Sequence, residues 1–229
     1  TGTGAIGSTT FRNANVTFTQ TGTSTYSGAI NAANFTKAGV GSLTLDSWAL
    51  ATPVATNISQ AYTVNGGGAL TLSTTPTGST AYSQLNPASV NVENASTFSL
   101  SNSSLSRWNN TSFNFTGSLG GGNMNLGGNP IGSTGTTNTF STSGGATNTI
   151  NGLLNANSAN VNLNLAAATS GTTLLDGSFA ALVFAQNSQG GFGLPNATTI
   201  NVNGPGGLLF NNKLSATQLN INSGTVQFG

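Results

Sequence analysis

Gly39-Val40-Gly41-Ser42-Leu43-Thr44-Leu45 is the stretch on which the fold turns. Two small residues one position apart let the chain bend sharply, after which Leu43 and Leu45 alternate with the polar Ser42 and Thr44. Such alternation puts both leucines on one face of a short strand. The same small-x-small-x-apolar-x-apolar heptad returns at Gly66–Leu72, Asn94–Leu100, Gly120–Leu126 and Asn222–Phe228, and a related strand runs over Asn13–Phe18. With weaker members included, the leading apolar positions are Val16, Leu43, Leu70, Phe98, Met124, Ile150, Leu174, Ile200 and Val226, spaced 24 to 28 residues apart.

A fixed period in the twenties is the sequence signature of a solenoid, one coil per repeat. The reading is all-β: a parallel β-helix filling residues 1–229 as a single domain, with about nine coils of about 26 residues. The nine leading side chains are expected to form one stack. Nine strands at about 4.8 Å spacing would rise about 43 Å. A β-sandwich of pilin type, also built of short alternating strands, is the rival fold.

Half a period away runs a second series, Ile30, Ile58, Leu85, Phe113, Phe140, Leu163, Phe184 and Leu209. Asn65-Gly66, Asn151-Gly152 and Asn203-Gly204 read as corners, because Gly and Asn accept the left-handed conformation a tight turn demands. Asparagine is also dense inside strand-like runs such as Asn160–Leu165 and Leu219–Asn222. Those amides either form ladders between coils or, more simply, face solvent.

Gly, Ser, Thr and Asn supply 127 of the 229 residues, while only Arg12, Lys37, Asp46, Glu93, Arg107, Asp176 and Lys213 carry charge. There is no His and no Cys, so Ser-His-Asp and Cys-His catalysis lack their base, and zinc sites lack their usual ligands. No cofactor and no metal are expected. A net charge of +1 offers no basic face for nucleic acid, and no apolar run is long enough to span a bilayer. The first residue is Thr1, read as a chain matured by signal removal or cut from something longer. With so few ionisable groups, stability is expected to vary little between about pH 3 and 9.

Tyr26-Ser27-Gly28-Ala29-Ile30, followed by the run Phe35–Leu45, resembles the autotransporter-associated β-strand repeat of large bacterial surface proteins, and Leu219–Gly229 is similar to another of its strands. The resemblance implies a right-handed β-helix, secreted or held at the bacterial outer surface, with no catalytic residues. The expected role is therefore structural, as in an autotransporter passenger or adhesin stalk. A filament subunit that self-associates through its terminal coils is the alternative. A carbohydrate-binding or carbohydrate-active β-helix is the weakest reading, and a host or cell-surface glycan or protein is a conceivable partner.

The candidate side chains follow from these readings. Glycosidases need two acids about 5–10 Å apart; Asp46, Glu93 and Asp176 are too scattered along the repeat to pair. Lys37 is expected to be a solvated strand-edge lysine that discourages edge pairing. Trp48, Trp108, Tyr26, Tyr62 and Tyr82 could stack on sugars or, more simply, pack in the core or at corners.

Overall fold

The computed structural model describes residues 6, 14–28, 30–46, 57–73, 83–85, 87–100, 106–116, 121–125, 135–143, 148–151, 159–166, 180–185, 197–210 and 216–228. Within them every regular element is a strand, twenty in all. Nine form one parallel sheet: β1 (Asn15–Thr19), β3 (Asn31–Ala38), β5 (Asn57–Val64), β8 (Ser89–Glu93), β11 (Ser112–Thr116), β13 (Thr137–Thr142), β15 (Asn160–Asn164), β17 (Ala197–Asn203) and β19 (Ala216–Ile221). Nine more form a second: β2 (Thr23–Tyr26), β4 (Ser42–Leu45), β6 (Ala69–Leu72), β9 (Thr97–Leu100), β12 (Asn123–Asn125), β14 (Asn148–Asn151), β16 (Ala180–Ala185), β18 (Gly207–Phe210) and β20 (Thr225–Phe228). A short parallel pair, β7 (Ser83–Leu85) with β10 (Ser106–Trp108), lies apart from both. Each sheet receives one strand per turn of chain, in chain order. This is the parallel β-helix of nine coils; a β-sandwich would pair its strands antiparallel. Eight steps at about 4.8 Å give about 38 Å from first strand to last.

The heptad is the corner plus the second-sheet strand that follows it. In the first such unit the chain leaves β3, turns at Gly39 (φ +82°) and enters β4 with Leu43 and Leu45 inward. The equivalent turns carry left-handed Gly66, Asn94, Ala95, Gly204 and Gly224. Gly66 shows why size matters here: with φ +82°, a Cβ there would also lie 2.7 Å from the Gly39 nitrogen one coil below. The expected corners Asn65-Gly66 and Asn203-Gly204 are thus turns, and Gly152 lies outside the described residues.

Strand burial alternates buried and half-buried in both sheets, so the apolar residues of each face the interior. The five consecutive residues Leu43, Leu70, Phe98, Met124 and Ile150 are direct register partners. From there the column continues through Phe184, Phe210 and Phe228. Three expected members of the stack need correction. Val16 belongs to the other sheet, opposite Phe35, and Ile200 also lies in that sheet, between Val161 and Leu219. Val226 pairs with Leu208, two residues from the column. Leu174 lies outside the described residues.

Coil length explains these misplacements. The first sheet advances 19 residues from Asn15 to Asn34, 28 from Thr63 to Asn91, 23 from Asn91 to Asn114, 39 from Asn162 to Asn201 and 19 again to Asn220. A mean near 26 hides short coils at both ends and one long one. The offset at Val226 is an even number of residues, which leaves its side chain on the inward face.

The interior is tied by a continuous run of ring contacts: Tyr26, Phe18, Phe35, Tyr62, Phe98, Trp108, Phe113 and Phe140, with neighbouring centroids between 4.7 and 6.2 Å. It crosses from one sheet to the other at Tyr62–Phe98 and returns through Trp108. Such pairs add about 0.5–1.5 kcal/mol each beyond the area they bury.

Candidate functional site

Register converts the asparagine-rich strands into columns on the outer face of the first sheet. One column reads Asn15, Asn34, Ala61, Ser89, Ser112, Thr139, Asn162, Asn201, Asn220. Two positions along, Thr17, Thr36, Thr63, Asn91, Asn114, Ser141, Asn164 and Asn203 form the next, and Asn222 bonds to Asn203 at its end. These amides bond to one another. Asn34 donates Nδ2 to Asn15 Oδ1 at 2.8 Å, Asn201 to Asn162 at 2.9 Å and Asn220 to Asn201 at 2.8 Å. In the second column Asn114 donates to Asn91 at 2.9 Å, Asn203 to Asn164 at 3.0 Å and Asn222 to Asn203 at 2.8 Å. The asparagines are therefore laddered as well as facing outward, correcting the simpler expectation of purely solvated amides.

The ladders have a direction. In each of these six Asn–Asn bonds the later coil gives Nδ2 and the earlier coil receives it on Oδ1, although Asn34 Nδ2 also donates to Gln60 Oε1 of the next coil at 3.3 Å. A carboxamide has donors on one side and an acceptor on the other, so a column of them bonding in series is polar whichever way it runs.

Buried asparagines work at the corners. Asn138 is fully buried; its Oδ1 accepts from Thr111 N at 3.0 Å and its Nδ2 donates to Trp108 O at 3.2 Å. Asn148 Oδ1 accepts from Gly122 N at 2.9 Å. Where a coil bends, these side chains supply the partners that the strand ladder cannot.

Lys37 departs most from expectation. Its side chain points inward from β3 and is fully buried, where a solvated edge lysine was expected. Nζ donates to the Gly39 carbonyl, and the amine fills the space over Gly68, where a Cβ would collide with it. Burial pushes its pKa below the usual 10.5. No ion pair joins it among the described residues. The signal was in the sequence: in Phe35-Thr36-Lys37 the lysine shares the inward parity of Phe35.

Of the expected sugar-stacking aromatics, Trp108, Tyr26 and Tyr62 are buried in the ring series, while Trp48 and Tyr82 lie outside the described residues. Among the acids, Asp46 directly follows β4 and accepts from Ser27 Oγ at 2.9 Å. Glu93 closes β8 in the other sheet, and Asp176 lies outside the described residues. Among the described residues no three His, Cys, Asp or Glu gather as a metal site would require, and no helix could cross a membrane. An open groove of about 340 Å³ runs along the corner at Thr142, Leu165, Asn203 and Gly204, lined without a titratable group.

The geometry offers surfaces and ends. Comparison with protein-family models, with curated proteins and with solved structures gives no match.

Proposed function

We propose that the chain is a structural β-helix scaffold acting outside the cell, at the bacterial surface or in secreted form, as in an autotransporter passenger or adhesin stalk. The observation that carries this reading is the unbroken stacking of nine coils, with a ring-packed interior and directional amide ladders outside. Stability is spread along an axis, as a spacer needs. A surface with few charges and dense amides keeps its hydrogen bonding when pH and salt change. Support also comes from the motif resemblance at Tyr26–Leu45.

Protease treatment of intact producing cells, followed by immunodetection, tests the location. The expected result is chain that is accessible outside the cell or recovered in the medium. Chain found only in the cytoplasm overturns the reading. A second measurement, small-angle scattering, is expected to give an elongated particle.

A further inference from the structure

The second sheet carries a different outer face from the first. At its outward positions one column reads Thr25, Thr44, Thr71, Ser99 and Asn125. Beside it, two residues earlier along each strand, run Thr23, Ser42, Ala69, Thr97, Asn123 and Thr149. Only Ala69 among them lacks a hydroxyl or an amide, and none is charged. Asp46 flanks the first column two residues past Thr44, where Ser27 Oγ bonds to it. Further along the axis the second column passes to Val183 and Leu209, so the polar array spans β2 to β14.

These side chains differ from the ladders in what they leave unused. Amides of the first sheet spend donors and acceptors on one another. Here the hydroxyls of Thr25, Ser42, Thr44, Thr71 and Thr97 make no hydrogen bond among the described residues, while Asn125 Nδ2 donates to Ser99 Oγ at 3.0 Å. All five are half-buried and reach solvent. Threonine is β-branched and stiff at χ1, so its hydroxyl stays where the backbone places it. Strand pairing sets the repeat, about 4.8 Å from coil to coil and about 6.6 Å between columns. Water held at each hydroxyl inherits that two-dimensional lattice.

Charge and spacing together select the occupant. The two columns carry no cation for a polyanion or an anionic lipid headgroup, and no aromatic ring on which a sugar could stack. They complement a neutral, rigid lattice of donors and acceptors. Both repeats lie within about a tenth of the oxygen spacings on the prism face of ice. We propose that the outer face of the second sheet, from β2 to β14, binds ice. Single hydroxyl–water contacts are weak, and the affinity comes from many of them held in register on one rigid face. The inference goes beyond the scaffold reading and shares with it only the β-helix.

Slow freezing of part of a solution of the 229-residue chain tests it, with protein then measured in the ice and in the remaining liquid. Wild type is expected to be enriched in the ice, whereas an ordinary solute is swept into the liquid. Nanolitre osmometry is expected to show a gap between its melting and freezing temperatures. T71K puts a long charged chain in the middle of the array and should narrow that gap at least about tenfold, because it lifts neighbouring contacts together. T97K, in the adjacent column, should act alike and carries the test if circular dichroism shows that T71K fails to fold. V40K, at an exposed corner outside both columns, should match wild type. Wild type left in the liquid, a folded T71K or T97K equal to wild type, or V40K as impaired as T71K overturns the inference. Binding to crystalline cellulose or chitin without enrichment in ice overturns it too. An elongated particle that ice excludes would lose this inference and keep the scaffold.

Discussion

Tyr62 and Lys37, with Tyr26, whose pKa burial also raises, carry the titration behaviour of the described interior. The Tyr62 hydroxyl is buried with no hydrogen-bond partner among the described residues, and burial raises its pKa far above 10.0. Removing that oxygen relieves a desolvation cost, so Y62F is expected to stabilise the fold by about 1 kcal/mol, read as a shift in denaturant midpoint at constant slope. A lower midpoint would mean the hydroxyl has a partner. For Lys37, whose folded pKa is depressed, the unfolded chain binds more protons between that pKa and 10.5. Stability therefore rises with pH through this window. Tyr62 acts oppositely: above 10.0 the unfolded chain loses a proton the folded one keeps, and stability falls. Denaturant midpoints are thus expected to peak near pH 10, about where the two windows meet. K37M should flatten the rise and Y62F should lessen the fall. A wild-type curve without a maximum contradicts both assignments.

At the scale of a single coil, corner geometry decides stability more than strand identity. Ala95 is exposed and sits at φ 58°, where a side chain is strained. A95G is expected to gain about 1 kcal/mol. G66A should lose about 2 kcal/mol, from a left-handed backbone and a collision with the coil below. Thermal denaturation of the pair checks the sign difference. The heptads were legible because corner and strand recur as one block, Gly39–Leu45 and Gly66–Leu72 alike. A further copy, Gly204-Pro205-Gly206-Gly207-Leu208-Leu209-Phe210, aligns in register with Asn222–Phe228, but the spacing of single apolar positions places Leu209 in the second series and hides the block. Matching the whole block instead of single apolar positions would have found it.

For the whole molecule, contacts run between neighbouring coils, so stability approximates a sum of coil and interface terms. Among the described residues the middle coils have two neighbours and the aromatic run, while β1 and β19, at the two ends of the first sheet's order, have a single strand neighbour and partial exposure. Hydrogen exchange, measured by mass spectrometry, is expected to be slowest in β5, β8, β11 and β13 and fastest in β1, β19 and β20. Uniform protection would indicate one all-or-none unit. The sequence carried the architecture because period two and the corner blocks are local. It concealed the 19-residue and 39-residue advances, since no local pattern says how far the chain wanders before it rejoins the sheet. For the same reason Val16 and Ile200 were assigned to the wrong sheet.

The direction of the amide ladders makes them sensitive to chemical ageing. Asn203 precedes Gly204, the pairing in which an asparagine side chain is most open to attack by the following nitrogen, and it sits mid-ladder between Asn164 and Asn222. Deamidation there would leave a carboxylate that still receives from Asn222 but faces Asn164 Oδ1 oxygen to oxygen. A relay that passes hydrogen bonds one way tolerates dilution, salt and acid, yet a single lost ammonia breaks one of its links.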